Sequence, residues 1–105
     1  TLAQLMPLDE VADKEGNTLT HIATRHGLIA ILQVLHENQI EMGGPNKDGD
    51  TVTHLAAARG DAAIIRFLGK IGTLRTQQDV RNGSGLRPIE VAKKNGHMEA
   101  CHVLG

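Results

Sequence analysis

The stretch KEGNTLTHIATRHGLIAIL, residues 14–32, returns 33 residues later as KDGDTVTHLAAARGDAAII, residues 47–65. Between residues 14–35 and 47–68, ten of 22 positions are identical: Lys, Gly, Thr, Thr, His, Ala, Gly, Ala, Ile and Leu. Self-similarity at a fixed period of this size marks a repeat architecture. Each copy is too small to bury its own apolar face and must stack on the next. A third copy follows at a spacing of 36, where Gly85, Pro88, Ile89, Val91, Ala92 and Gly96 align with Gly49, Val52, Thr53, Leu55, Ala56 and Gly60. The three extra residues fall between Gly72 and Gly85, which predicts a longer, projecting connection there.

Each copy reads as two short helices. The first is expected over 19–26, 52–59 and 88–95, and the second over 29–37, 62–70 and 97–104. Gly27, Gly60 and Gly96 separate them, where the chain must turn through a conformation that a Cβ disfavours. Ile22, Leu55 and Val91 form an apolar stripe beside Ala23, Ala56 and Ala92. In the second helices, Ile31, Leu32, Val34 and Leu35 recur as Ile64, Ile65, Phe67 and Leu68. Thr18 and Thr51 stand where an N-cap hydroxyl can accept from an orphan backbone N–H. In the third copy Arg87 takes that place and Pro88 occupies the first helical position, where its fixed φ suits the helix.

Composition agrees with such a stack. Of 105 residues, 40% are apolar and only one is aromatic, Phe67, so small aliphatic side chains must build the core. Without aromatic platforms, and with a net charge of −1, nucleic-acid binding is not expected. No apolar run approaches the roughly 18 residues of a membrane span, and no signal peptide is visible at the start. One cysteine, Cys101, rules out an internal disulfide and fits a reducing intracellular setting, cytoplasmic or nuclear. The net charge conceals a split. Residues 1–50 carry three basic and eight acidic side chains, or −5, and residues 51–105 carry eight basic and four acidic, or +4.

The motifs resemble the ankyrin repeat, whose pattern is close to D-x-x-G-x-T-P-L-H-x-A-A-x-x-G-H-x-E-I-V-x-L-L. The first copy matches at Asp13, Gly16, Thr18, His21, Ala23, Gly27, Ile31, Leu32 and Leu35. The second matches at Gly49, Thr51, His54, Ala56, Ala57, Gly60, Ile64, Ile65 and Leu68. The third matches at Gly85, Pro88, Ile89, Ala92, Gly96, His97, Glu99, Val103 and Leu104. The resemblance implies an all-α ankyrin-repeat solenoid of stacked helix-turn-helix units joined by hairpin loops. It divides the single domain 1–105 into a remnant of a preceding repeat or N-terminal cap (1–12), repeat 1 (13–45), repeat 2 with its longer loop (46–81) and a truncated repeat 3 (82–105).

Some positions depart from the pattern. Thr20 and Thr53 fill a place that is usually apolar core, and each hydroxyl needs a partner, either back on its helix or across on the neighbouring repeat. Glu90 replaces the motif histidine in the third copy. Gln39-Ile40-Glu41 and Gly72-Thr73-Leu74 replace the usual glycine-alanine-aspartate. Both ends look cut. Cys101, Val103 and Leu104 would lie at an uncapped edge, so the chain is expected to belong to a longer array, to dock on another surface or to self-associate.

For function, the resemblance implies a non-catalytic scaffold that binds another protein through a concave face. Carried over by position, that face comprises Lys14, Glu15, Asn17, Arg25 and His26 from the first copy. The second supplies Lys47, Asp48, Asp50, Ala58 and Arg59, and the third Ser84, Leu86, Lys94 and Asn95. Its basic end, with Arg59, Arg87, Lys93 and Lys94, suits an acidic segment of the partner. The alternative is a targeting or regulatory arm of a larger intracellular enzyme or effector.

Nothing in the sequence points to catalysis, a cofactor or a metal. His21 and His54 recur at the repeat period, which the resemblance assigns to holding the turn. His97 and Cys101 are spaced i, i+4, but two ligands do not complete a site. Gly43-Gly44-Pro45 and Gly83-Ser84-Gly85 lack the Lys-Ser/Thr that a phosphate loop requires and read as turns.

Overall fold

The computed structural model describes residues 13–40, 42 and 44–105. The expected remnant of a preceding repeat, 1–12, lies outside the described residues, as do Glu41 and Gly43. Among the described residues seven helices follow in order: α1 (Leu19–Arg25), α2 (Ile29–Glu37), α3 (Val52–Arg59), α4 (Ala62–Lys70), α5 (Thr73–Gln77), α6 (Pro88–Lys94) and α7 (Met98–Leu104). Among the described residues there is no β-strand, so the fold is all-α as expected. Six of the helices match the sequence reading to within one residue at each end.

The turn inside each repeat has a local cause. In the middle repeat Gly60 N donates to the Ala57 carbonyl at 3.1 Å, and Asp61 N to the Ala56 carbonyl at 3.0 Å. This is the Schellman arrangement, and it needs the left-handed φ of +75° that glycine supplies. Gly27 and Gly96 close α1 and α6 with the same bond pattern. Helices of two turns are marginal alone, so packing holds them. α1 packs on α3, α3 on α6, and each first helix on its own second helix.

The core is aliphatic. Leu32, Val52, Ala56, Ala57, Ile64, Ile65, Leu68, Ala92 and Ala100 are inaccessible to solvent. Each buried Leu, Ile or Val contributes about 1.5–3 kcal/mol. Alanines on α3 and α6 let the first helices approach closely. The apolar stripe is graded along the stack. Ile22 is 37% exposed, Leu55 is half-buried and Val91 is buried. Ile31 and Val34 of the first repeat are 42% and 52% exposed, whereas Ile64, at the position of Ile31, is fully buried.

The connection after α4 corrects the sequence reading. It folds back on the core instead of projecting. Gly72, at φ +87°, starts the one-turn helix α5, which packs against α4 and α3. Leu74 joins the partly buried apolar set around the core, and Gln77 is buried. The three extra residues are used to reach back to Thr53, as described below.

Candidate protein-binding face

The hairpin loops are built alike in all three copies. The side chain of an Asx residue at the loop's start accepts two backbone N–H groups. Asp13 Oδ1 takes those of Glu15 and Asn17, both at 2.9 Å. Asn46 Oδ1 takes those of Asp48 at 2.9 Å and Asp50 at 3.0 Å. Asn82 Oδ1 takes those of Ser84 and Leu86, both at 3.0 Å. Backbone bonds from Gly16, Gly49 and Gly85 to the same residues' carbonyls close each turn. The Asn17 N–H is the main reason the Asp13 carboxyl titrates below the usual carboxylate range. The spacing Asp/Asn-x-x-Gly at 13, 46 and 82 is the sequence signal for this element, and only Asp13-x-x-Gly16 matches the family pattern in full.

Neighbouring hairpins are joined through the same residues. Asn46 Nδ2 donates to Asn17 Oδ1 at 2.8 Å, and Asn82 Nδ2 to Asp50 Oδ1 at 3.0 Å. Lys47 N donates to the Glu15 carbonyl at 2.9 Å, and Gly83 N to the Asp48 carbonyl at 2.7 Å.

The motif histidines lie beneath. His21 Nδ1 accepts the Thr18 N–H at 3.1 Å and sits 2.8 Å from the Thr18 hydroxyl. That fixes the proton on Nε2, which donates to the Asp50 carbonyl at 3.2 Å. His54 repeats the scheme with Thr51, and its Nε2 reaches the Leu86 carbonyl at 2.8 Å. Burial is the chief cause of a lowered His21 pKa. In the third repeat Glu90 Oε1 takes over the cap, accepting from Arg87 N at 3.0 Å and Arg87 Nε at 3.1 Å. Those bonds, with Arg87 and Arg81 nearby, hold the Glu90 carboxyl below its usual range.

Among the described residues, the partners of the unusual threonines lie within their own repeats, not across on a neighbour. The Thr20 hydroxyl lies 2.8 Å from that of Thr18, two residues back at the N-cap. Thr53 Oγ1 and N both donate to Gln77 Oε1, at 2.7 and 3.2 Å. Gln77 carries no signal in the sequence, because a glutamine in a five-residue helix leaves no periodic pattern. Among the described residues no buried side-chain polar atom lacks a partner.

The profile of ankyrin repeats (3 copies) matches residues 20–105. The chain belongs to the ankyrin repeat family. No curated protein matches it. Ankyrin repeats generally mediate contacts between proteins and are typically not catalytic.

On this ankyrin stack, Lys14, Glu15, Lys47, Asp48 and Ser84 are exposed on the hairpins. Arg25, His26, Ala58, Arg59, Lys94 and Asn95 are exposed at the ends of α1, α3 and α6. Asp50 and Leu86 are half-buried between hairpins. Asn17 is not available to a partner. It is 1% exposed, because its side chain is enclosed between Asp13 and Asn46.

The helix ends form a connected row. Arg59 Nη1 donates to the Arg25 carbonyl at 3.3 Å, and His97 Nε2 to the Ala58 carbonyl at 3.0 Å. Positions 25 and 58 are equivalent in the repeat, so α1 and α3 lend the same last-turn carbonyl to the repeat that follows. Arg59 is therefore a clamp between repeats as well as a surface cation, and it also pairs with Asp61 at 3.4 Å. Arg87 and Arg81 pair with Glu90, and Arg66 with Glu99. Arg25, Lys93 and Lys94 make no ion pair among the described residues.

His97 and Cys101 do not converge. The ring faces Ala58, while the thiol is directed to the Ile89 carbonyl at 3.9 Å. Among the described residues no three of His, Cys, Asp or Glu gather as metal ligands would. No described helix is long and apolar enough to cross a membrane.

Proposed function

We propose that this ankyrin chain is a non-catalytic, intracellular scaffold that binds an acidic segment of a partner protein along the row of helix ends from Arg25 through Arg59 to Lys94. The carrying observation is the exposed, unpaired state of Arg25, Lys93 and Lys94 beside an Arg59 held in place by its neighbours. An unpaired cation is open to an incoming carboxylate, whereas Arg66, Arg81 and Arg87 each already face a carboxylate of this chain. Lys14, Glu15, Lys47 and Asp48 on the hairpins flank the row with both signs and favour one orientation of the bound segment.

Capture from cell lysate by the natural chain and by the Arg25→Glu/Lys94→Glu variant tests this. Neither side chain clamps the repeats, so folding is preserved and can be checked by circular dichroism. The expected result is a partner retained by the natural chain, released by raised salt and lost from the variant. Equal retention by both chains, indifferent to salt, sinks the assignment. Arg59→Glu is a poorer probe, because it also breaks the bond to the Arg25 carbonyl.

A further inference from the structure

The polar connectors between repeats run in one direction, and two of them are not carried past the third repeat. Besides the last-turn carbonyl of Arg25 or Ala58, each of the first two repeats offers the next one three groups. One is a side-chain acceptor, Asn17 or Asp50, taken by Asn46 or Asn82. Another is a ring N–H, from His21 or His54, given to the Asp50 or Leu86 carbonyl. The last is a hairpin carbonyl, of Glu15 or Asp48, taken by the N–H of Lys47 or Gly83. In the third copy the first two are missing. Leu86 stands where Asn17 and Asp50 stand, and has no side-chain acceptor. Glu90 stands where His21 and His54 stand, and its carboxylate has no proton to donate. It is turned onto its own repeat, bonded to Arg87 and 3.6 Å from Arg81.

The opposite edge is built to continue. The N–H of Lys14, the counterpart of Lys47 and Gly83, makes no hydrogen bond among the described residues. Ile22, Ile31 and Val34 lie exposed at 37%, 42% and 52%. Their equivalents Leu55, Ile64 and Phe67 are half-buried, buried and half-buried, covered within the stack.

We infer that the stack is directional: the edge bearing Lys14, Ile22, Ile31 and Val34 receives another repeat of the same kind, and the outward edge of the third repeat, with Leu86 and Glu90, is built not to. The occupant of the first edge follows from continuity, since a repeat of this type already covers the equivalent positions at both junctions in this chain. Loss of both polar connectors at the other edge would leave an incoming Asn side chain and hairpin carbonyl facing Leu86 and a carboxylate. Such unmatched groups disfavour docking by more than their own bonds are worth.

The test extends the full chain by its own sequence in register. A copy of residues 13–33 is joined before Thr1, or a copy of residues 37–70 after Gly105. Urea unfolding reports both the midpoint and the slope, which grows with the surface buried. The N-terminal extension is expected to raise both. The C-terminal extension is expected to raise neither and to be trimmed by protease. Leu86→Asn with Glu90→His should make the C-terminal extension raise both, and Glu90→His alone should give part of the gain. A C-terminal extension that stabilises the natural chain as much as the N-terminal one overturns the inference. So does an N-terminal extension that adds nothing, including the case where a second copy occupies that edge and sedimentation shows a dimer abolished by Ile31→Glu. If the variants do not fold, the two extended natural chains decide the matter alone.

Discussion

Gln77 Oε1 accepts from Thr53 twice, from the hydroxyl at 2.7 Å and from the backbone N–H at 3.2 Å. Both residues are buried. The connection between the second and third repeats thus supplies a partner that the Thr53 position demands. Gln77→Ala is expected to cost about 1–3 kcal/mol, because two buried donors lose their acceptor. Thr53→Val added to it should cost less than the two single changes summed, since one of those orphaned donors is then gone. Urea unfolding of the four chains in the cycle checks this, and strict additivity would refute the coupling.

Gly27, Gly60 and Gly96 share one backbone conformation, with φ of +70°, +75° and +74°, but not one environment. A Cβ at Gly96 meets nothing within 4 Å, so Gly96→Ala carries only backbone strain, about 1–2 kcal/mol. A Cβ at Gly27 collides with the Arg59 guanidinium, which can swing away at the loss of its bond to Arg25. A Cβ at Gly60 lies 2.6 Å from the His97 ring, which is held against the Ala58 carbonyl and has less freedom. The expected order of destabilisation is Gly60→Ala above Gly27→Ala, with Gly96→Ala lowest. Thermal midpoints of the three variants test the order, and three equal losses would mean that the stacking side chains contribute nothing.

Much of this fold was legible because its signals are local. The period, the turn glycines and the aliphatic pairs at Ile31–Leu32 and Ile64–Ile65 each act within one repeat. Copies then reinforce one another. The missed features depend on distance. Gln77 meets Thr53 across 24 residues, and α5 is too short for an amphipathic pattern to show. Asn17 occupies a position that is open on a single hairpin and becomes enclosed only when Asn46 of the next one closes over it. Arg59 reads as a surface charge until the helix end before it is placed beside its guanidinium. The candidate face was thus readable as a set of positions, but not as a division between cations that hold the stack and cations left for a partner.

His21 makes stability depend on pH with a definite sign. Burial lowers its pKa in the folded chain below the ordinary value near 6.5. Its Nδ1 is already occupied in accepting from Thr18, so protonation of the folded form requires breaking that cap. Well above a pH of about 6.5 the ring is neutral in both states. As pH falls below that, the unfolded chain takes up the proton first, and the His21 contribution is lost. The urea midpoint is expected to drop between pH 7.5 and 5 more steeply for the natural chain than for His21→Gln. Parallel curves for the two chains would show that the ring is not the titrating group.

The two inter-hairpin amides should respond differently to the same change. Asn82 Nδ2 points at the Asp50 carboxylate at 3.0 Å, so Asn82→Asp sets one carboxylate against another. Only protonation relieves that contact, and the expected loss is about 1–3 kcal/mol near pH 7, diminishing as one of the pair takes up a proton in acid. Asn46 Nδ2 points instead at the Asn17 amide oxygen, at 2.8 Å. In Asn46→Asp the Asn17 side chain can rotate to present its NH2, giving up a 3.3 Å bond to Asp13 but restoring the bridge. Asn46→Asp should therefore cost clearly less than Asn82→Asp and show no recovery in acid. Unfolding midpoints of both variants at pH 7 and pH 4.5 separate the cases, and equal losses at both pH values would mean that the hairpin bridges do not carry stability between repeats.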